Sequence, residues 1–210
     1  MPSALIVANA PWRWEEWAVR LVREAEVVLA ADGGANHLAR LGVRPHAVVG
    51  DLDSVDTAVR RWIGEDRVVP RPDQDFTDLH KALAYAFDEC GATRVTILAA
   101  TGGRLDHALD NLGQLVRWSP RGEVEIAEPG CRIVAVAGRR ELETTPGQLL
   151  SIVPWGHCEA VTTTGLRWAL RGEPFDLAER TGVSNRADGE RATVEVRGGA
   201  LLLFRFHPGW

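Results

Sequence analysis

The stretch HAVVGDLDSV, residues 46–55, decides how this chain is built. A short apolar run that stops at Gly50 has the form of a buried strand in a parallel sheet. Asp51 and Asp53 follow at once. Aspartate is a poor strand former and two carboxylates one residue apart repel each other, so the pair belongs to a loop at the strand's carboxyl end. Taken alone, such a D-x-D fits a loop whose aspartates cap the next helix as well as it fits a metal site.

The same pattern repeats on both sides. ALIVAN (4–9), EVVLAAD (26–32), RVVPR (67–71) and TRVTILAAT (93–101) read as further strands, separated by helices near 14–24, 36–41, 56–63, 77–89 and 104–118. Helical spacing puts Trp14, Trp17, Ala18 and Leu21 on one stripe of the first helix. It puts Leu79, Ala82, Leu83, Ala86 and Phe87 inward on the fourth, and Leu105, Ala108, Leu109, Leu112 and Leu115 on one stripe of the fifth. Strands alternating with amphipathic helices predict an α/β domain with a mainly parallel sheet. After SPRGE (119–123) the texture changes to VEIAEP, CRIVAVAG, QLLSIVPW, EAVTTTGLRWAL, RATVEVRGG and ALLLFRF, short runs broken by Gly and Pro. These predict an all-β sandwich, so the domains are residues 1–120 and 121–210. Neither a sequence repeat nor a low-complexity tract interrupts them.

At 210 residues and 45% apolar content the chain can bury a core in each half. A formal net charge of -5 gives no reason to expect nucleic acid or an acidic membrane surface as a partner, but favours a ligand carrying positive charge. Cys90, Cys131 and Cys158 are odd in number and lack metal-ligand spacing, as expected of reduced thiols. The beginning, MPSALIVANAPWRWEEW, has no basic leader, and no apolar run reaches membrane-spanning length. A cytoplasmic protein is therefore expected. Lys81 is the single lysine, so any chemistry that needs one has one candidate.

Ligands of open α/β sheets bind beyond the carboxyl ends of the strands. Four acidic or glycine-rich segments fall at such ends: ADGGAN (31–36), GDLDS (50–54), PDQDFTD (72–78) and TGGRLDH (101–107). Each alone is explained by turns and helix caps. Together they predict a cluster of aspartates that needs a counter-cation, for which magnesium is the usual choice beside phosphate. Gly102 and Gly103 before Arg104 would offer backbone N–H groups and a guanidinium to an anion. The expectation is a nucleotide phosphate site, but neither a Walker loop nor a G-x-G-x-x-G fingerprint is present. His107 reads equally as a helix-start residue and as a ligand.

The ordered set ADGGAN, VVGDLDS, PDQDFTD and GGRLDH, followed by TTTGLRWAL (162–170) and GVSN (182–185), resembles the thiamine pyrophosphokinase family along almost the whole chain. That resemblance implies transfer of an intact diphosphate from ATP to the hydroxyl of thiamine, giving thiamine diphosphate and AMP, with Mg2+ as cofactor. It implies a catalytic, ATP- and metal-binding domain (1–120), a thiamine-binding and dimerising β-sandwich (121–210), and a homodimer with active sites between subunits. Carried over by motif, it implies Asp51, Asp53, Asp78 and Asp106 as catalytic, with Asp51, Asp53 and Asp78 on the metal. Asp32, Gly33, Asn36, Gly102, Gly103, Arg104 and His107 fall at ATP. Gln74, Thr77, Thr164, Trp168, Ser184 and Asn185 fall at thiamine. Trp168 and the aspartates give a cationic thiazolium an aromatic face and negative charge. Trp12, Trp14 and Trp17 receive no role and read as helix packing.

Three other readings fit parts of the pattern. An aspartyl-phosphate phosphatase would use Asp51 as nucleophile with Lys81 as partner, but leaves ADGGAN, GGRLDH and the β half without a purpose. A diphosphokinase for a hydroxymethylpterin shares the ATP half and should lack GLRW. A thiamine or nucleotide sensor without turnover keeps the pockets and makes no AMP.

Overall fold

The computed structural model describes residues 2–207, which divide into two compact units. Within the described residues the first comprises 2–114 with 121–124, and the second 115–120 with 125–207.

In the first unit five strands run parallel: β1 (Ser3–Val7), β2 (Val27–Ala31), β3 (Ala47–Gly50), β4 (Val68–Pro70) and β5 (Arg94–Leu98). Their spatial order is β5-β1-β2-β3-β4. Helices α1 (Glu16–Glu24), α2 (Gly34–Arg40), α3 (Thr57–Ile63), α4 (Asp78–Asp88) and α5 (Leu105–Trp118) connect or follow them. The strands are near-continuous Val, Ile, Leu and Ala because both faces are covered; Ile6, Val7, Leu29, Val49, Ile97 and Leu98 have no measurable exposure. The chain moves outward from β1 to β4 and then returns to pair β5 on the other side of β1, which creates a topological switch point between β1 and β5.

The predicted α4 stripe is buried throughout. Two other stripes are not as the spacing predicts. α1 starts at Glu16, so Trp14 precedes the helix, and its buried residues are Ala18 and Val22. The first two turns of α5 leave Leu105 at 82% and Leu109 at 57% exposure.

The second unit holds two antiparallel sheets. One contains β7 (Cys131–Val136), β14 (Leu201–Phe206), β9 (Leu149–Pro154) and β12 (Gly182–Arg186), with β6 (Glu123–Glu128) pairing β7. The other has the order β11-β10-β13-β8, with β8 (Arg139–Glu143), β10 (Cys158–Thr164), β11 (Arg171–Phe175) and β13 (Arg191–Arg197). Val134, Leu150, Ile152 and Leu203 of the first sheet share one core with Val161, Phe175 and Val194 of the second, which makes a sandwich. Among the described residues no helix is long and apolar enough to cross a membrane.

Candidate active site

A cavity of about 880 Å³ opens at the carboxyl ends of the first unit's strands. Every strand end contributes. Asn9 to Pro11 follow β1, Asp32 follows β2, Asp51 and Asp53 follow β3, Gln74 to Asp78 lead from β4 into α4, and Gly102 to Arg104 follow β5. The loops after β1 and β5 meet closely at the switch point, where a side chain on Gly103 (φ 63°) would come within 2.8 Å of Pro11 Cδ.

Asp32, Asp51 and Asp78 converge at the cavity floor, each placing a carboxylate oxygen within 4.8 Å of the others. Their backbone explains why. Asp32 has φ 44° and Leu52 has φ 71°, so the turns after β2 and β3 both pass through the left-handed region. Asp tolerates that region and leucine does not, so the D-x-D turn holds a strain of about 1–3 kcal/mol that surrounding bonds must offset. Those bonds are present: Asp32 N–H donates to Val49 O at 2.9 Å, Ser54 N–H to Asp32 Oδ2 at 3.2 Å, and Asp51 N–H to Asp78 Oδ1 at 3.3 Å. A side chain on Gly50 would meet Asp32 Cβ at 2.9 Å and Asp78 Oδ1 at 3.0 Å, so only glycine lets β3 approach both.

The electrostatics differ among the three. Asp32 is 4% exposed and its Oδ1 has no hydrogen-bond partner, so burial raises its carboxyl above the ordinary range despite the opposing Ser54 bond. Asp51 is shifted down, chiefly because Gln74 Nε2 donates to its Oδ2 at 3.2 Å. Asp78 Oδ1 also receives Lys81 Nζ at 3.1 Å. Three carboxylates with one orphan buried oxygen are a hard-oxygen donor set, which fits Mg2+ or a similar divalent cation.

Several residues expected at the site have particular duties. Asp53 lines the cavity outside the three-oxygen group and accepts a bond from Ser54 Oγ. Asn36 clamps the D-x-D turn from α2, donating to Ser54 O and accepting from Asp56 N–H. Gly33 sits at the start of α2. Thr77 Oγ1 donates to Asp110 Oδ2 at 3.0 Å. Arg104 forks onto Asp106, and this pair lowers the Asp106 carboxyl to about 2. His107 is exposed on the cavity wall.

Sequence reasoning assigned no site role to Asn9, Asn111 or Phe76, which also line the cavity. Asn111 is buried and donates to Ala100 O at 2.8 Å, holding the loop after β5. Lys81, the one candidate for chemistry that needs a lysine, lines the same cavity. Its three-residue spacing from Asp78 was the signal that it serves that carboxylate, and it pairs Asp78 and not Asp51.

The second unit has its own cavity of about 220 Å³, lined by Trp168, Leu170, Phe175, Gly182 and Asn185. β10 ends at Thr164, whose hydroxyl pairs with that of Thr193. The run EAVTTTGLRWAL is therefore strand only as far as Thr164; the GLRW segment bends away, with Leu166 bridging Ala187. Trp168 N–H donates to Asn185 Oδ1 at 3.2 Å and Asn185 Nδ2 returns a bond to Trp168 O at 2.8 Å. The indole stays 56% exposed while its backbone is fixed by a buried amide. Ser184, at φ 62°, donates through its N–H to Ser151 Oγ.

A family model described as thiamin pyrophosphokinase, catalytic domain, matches residues 18–126, and one described as its vitamin B1 binding domain matches 139–201. The chain is 27% identical over 230 residues to thiamine pyrophosphokinase 1 of Oryza sativa subsp. japonica, covering 96% of this chain and 85% of that protein. It is 29% identical over 201 residues to thiamin pyrophosphokinase 1 of Caenorhabditis elegans, covering 89% and 81%. The crystal structure of thiamine pyrophosphokinase from Bacillus subtilis shares the fold with a TM-score of 0.84 at 24% identity, covering 98% of this chain and 99% of that one. The chain thus belongs to the thiamine pyrophosphokinase family, enzymes that transfer the diphosphate of ATP to thiamine.

Proposed function

We propose that the cavity of the first unit receives the triphosphate of ATP, and that the Trp168 pocket of the second receives thiamine. The observation that carries this reading is the convergence of Asp32 after β2, Asp51 after β3 and Asp78 at the start of α4. The thiamine hydroxyl oxygen bonds to the β-phosphorus, the bond from that phosphorus to the bridging α–β oxygen breaks, AMP leaves, and the hydroxyl proton is released. Asp51 and Asp78 would hold Mg2+ together with Asp32, and Asp53 would add its carboxylate beside them. The ion supplies neutralisation of the triphosphate charge when bound. Gly102, Gly103 and Arg104 bind phosphate oxygens, with Gly33, Asn36 and His107 around the nucleotide. Gln74 and Thr77 guide the thiamine arm, Thr164, Ser184 and Asn185 bind thiamine beside Trp168, and Asn185 also holds the backbone of that tryptophan.

Asp106 is a poor proton acceptor while Arg104 keeps its carboxyl near 2. A loose phosphoryl-transfer transition state needs little general-base help, so the residues act by position and charge. We further infer a cytoplasmic homodimer with its active sites between subunits, in keeping with three free cysteines of which Cys131 and Cys158 are buried.

The test is incubation of the purified protein with ATP, Mg2+ and thiamine, with products separated by chromatography. AMP and thiamine diphosphate should appear in equal amounts, and Asp51→Asn should lower turnover by about 10²-fold or more. ADP or free phosphate without thiamine diphosphate overturns the reading. Sedimentation velocity tests the dimer separately.

A further inference from the structure

Lys81 is the chain's only lysine, and its side chain is 7% exposed. Charged residues are seldom buried unless paired, and lysine's long stem normally carries its ammonium to water. Here the ammonium instead turns inward to the cavity, 3.1 Å from Asp78 Oδ1. An i,i+3 ion pair steadies a helix only modestly and does so from the surface, so helix stability does not account for the burial. Lys81 lies in the first turns of α4, where the helix dipole opposes positive charge, while Asp78 at the first position is already favoured there. What does account for it is the neighbouring charge. Asp32, Asp51 and Asp78 bring three carboxylates together, and Lys81 is the cation fixed against one of them.

We propose that Lys81 is a positioning residue, a built-in counter-ion that keeps Asp78 in the three-carboxylate group while no divalent cation is bound. The proposal rests on the metal reading of this cavity. Two donors, Lys81 Nζ and Asp51 N–H, occupy Asp78 Oδ1. These two bonds fix the Asp78 carboxylate beside Asp32 and Asp51, so the group is assembled before a metal arrives. Without Lys81 the same three charges repel, and Asp78 swings away or draws the α4 start with it. The incoming cation then has to do the assembling.

The experiment uses the full chain with Lys81→Met, which keeps the length and removes the charge, and Lys81→Arg, which keeps the charge. Thermal midpoints are read in EDTA and across a Mg2+ titration, and Mn2+ binding is followed by electron paramagnetic resonance. In EDTA the Met variant should melt below the wild type, and Mg2+ should raise its midpoint at least about twice as much as it raises the wild type's. The Arg variant should stay close to the wild type in that increment. Adding Asp78→Asn to Lys81→Met should recover the midpoint lost in EDTA, because the charge that needed balancing is gone. Soluble expression of this double variant where the single one fails to fold supports the proposal equally. Equal Mg2+ increments in the wild type and the Met variant, or a double variant no more stable than the single, overturns it. A wild type that binds no Mn2+ and does not respond to Mg2+ overturns the metal reading instead, and the rescue in EDTA then decides the counter-ion role by itself.

Discussion

Asp32 is the residue whose environment is least favourable to its own charge. Its side chain is buried, one oxygen has no partner, and Asp78 and Asp53 add repulsion to the desolvation that raises its carboxyl. A buried group left without its hydrogen bond costs about 1–3 kcal/mol. Asp32→Asn should therefore raise the unfolding free energy in EDTA by about that much, since the amide keeps the Ser54 bond and gains a donor toward the neighbouring carboxylates. It should also lower turnover and Mn2+ affinity. Denaturant melts with and without metal check this, and an asparagine variant that is less stable in EDTA would remove Asp32 from the charged group. At this scale the sequence was partly legible. ADGGAN at a strand end announced an acidic loop, but only the left-handed turns at Asp32 and Leu52 decide that Asp32, and not Asp53, meets Asp51 and Asp78. Spacing along a strand cannot reveal which of two loops bends toward the other.

The helices and loops around the cavity should respond to pH through His37. His37 is buried on α2 between two fixed partners: Trp14 Nε1–H donates to its Nδ1 at 3.3 Å, and its Nε2 lies 3.1 Å from Ala10 O. The indole requires an unprotonated Nδ1, so the neutral ring carries its hydrogen on Nε2 and donates to Ala10. Burial, and secondarily Arg40, lower the His37 pKa below its ordinary 6.5. With the folded value below the unfolded one, this residue's contribution to stability is complete above pH 6.5 and declines as pH falls from there toward the folded value. The loop that His37 anchors includes Ala10 and Pro11 on the cavity wall. Protonation at Nδ1 breaks the Trp14 bond and leaves the Nε2–H bond to Ala10 O in place, so acidification should loosen the Trp14 side of this loop first. His37→Gln should flatten the loss of stability between pH 6.5 and 5, read as the difference in thermal midpoint between variant and wild type. An identical slope in both would assign the acid response elsewhere. Trp12, Trp14 and Trp17 form an edge-to-face cluster beside this loop; Trp14 precedes α1 and Trp17 lies on it, so the cluster ties the loop to the helix. Elsewhere the strands that sequence reasoning missed are RRELE (β8), RGEPF (β11) and GVSNR (β12). All three lie at sheet edges, where charge, Pro and Gly are favoured and the apolar alternation that announces a strand is absent.

Across the whole molecule, charge and shape are divided between the two units. All aspartates except Asp176 and Asp188 precede residue 111, and the carboxylate group belongs entirely to the first unit. The second offers an exposed indole over a small cavity, with Asn185 bonding both the N–H and the carbonyl of Trp168. This division was legible from composition alone, since an aspartate-rich α/β half and an aspartate-poor β half ask for different ligands. It leads to different kinetic signatures. Removing a carboxylate should act on turnover, whereas Trp168→Ala removes a face for a cationic ring, worth about 1–2 kcal/mol when desolvated. That corresponds to a rise of about 5- to 30-fold in the thiamine KM. The ATP KM should change by less than about 2-fold, because the indole offers nothing to a triphosphate. Trp168→Phe should retain most of the affinity, as a flat face remains while the Asn185 bonds go to the backbone. Steady-state kinetics with each substrate varied in turn decides the matter. If Trp168→Ala raises both constants alike, the tryptophan is a structural part of the sandwich and thiamine sits elsewhere. A selective rise, restored by phenylalanine, places the thiamine ring on the indole face.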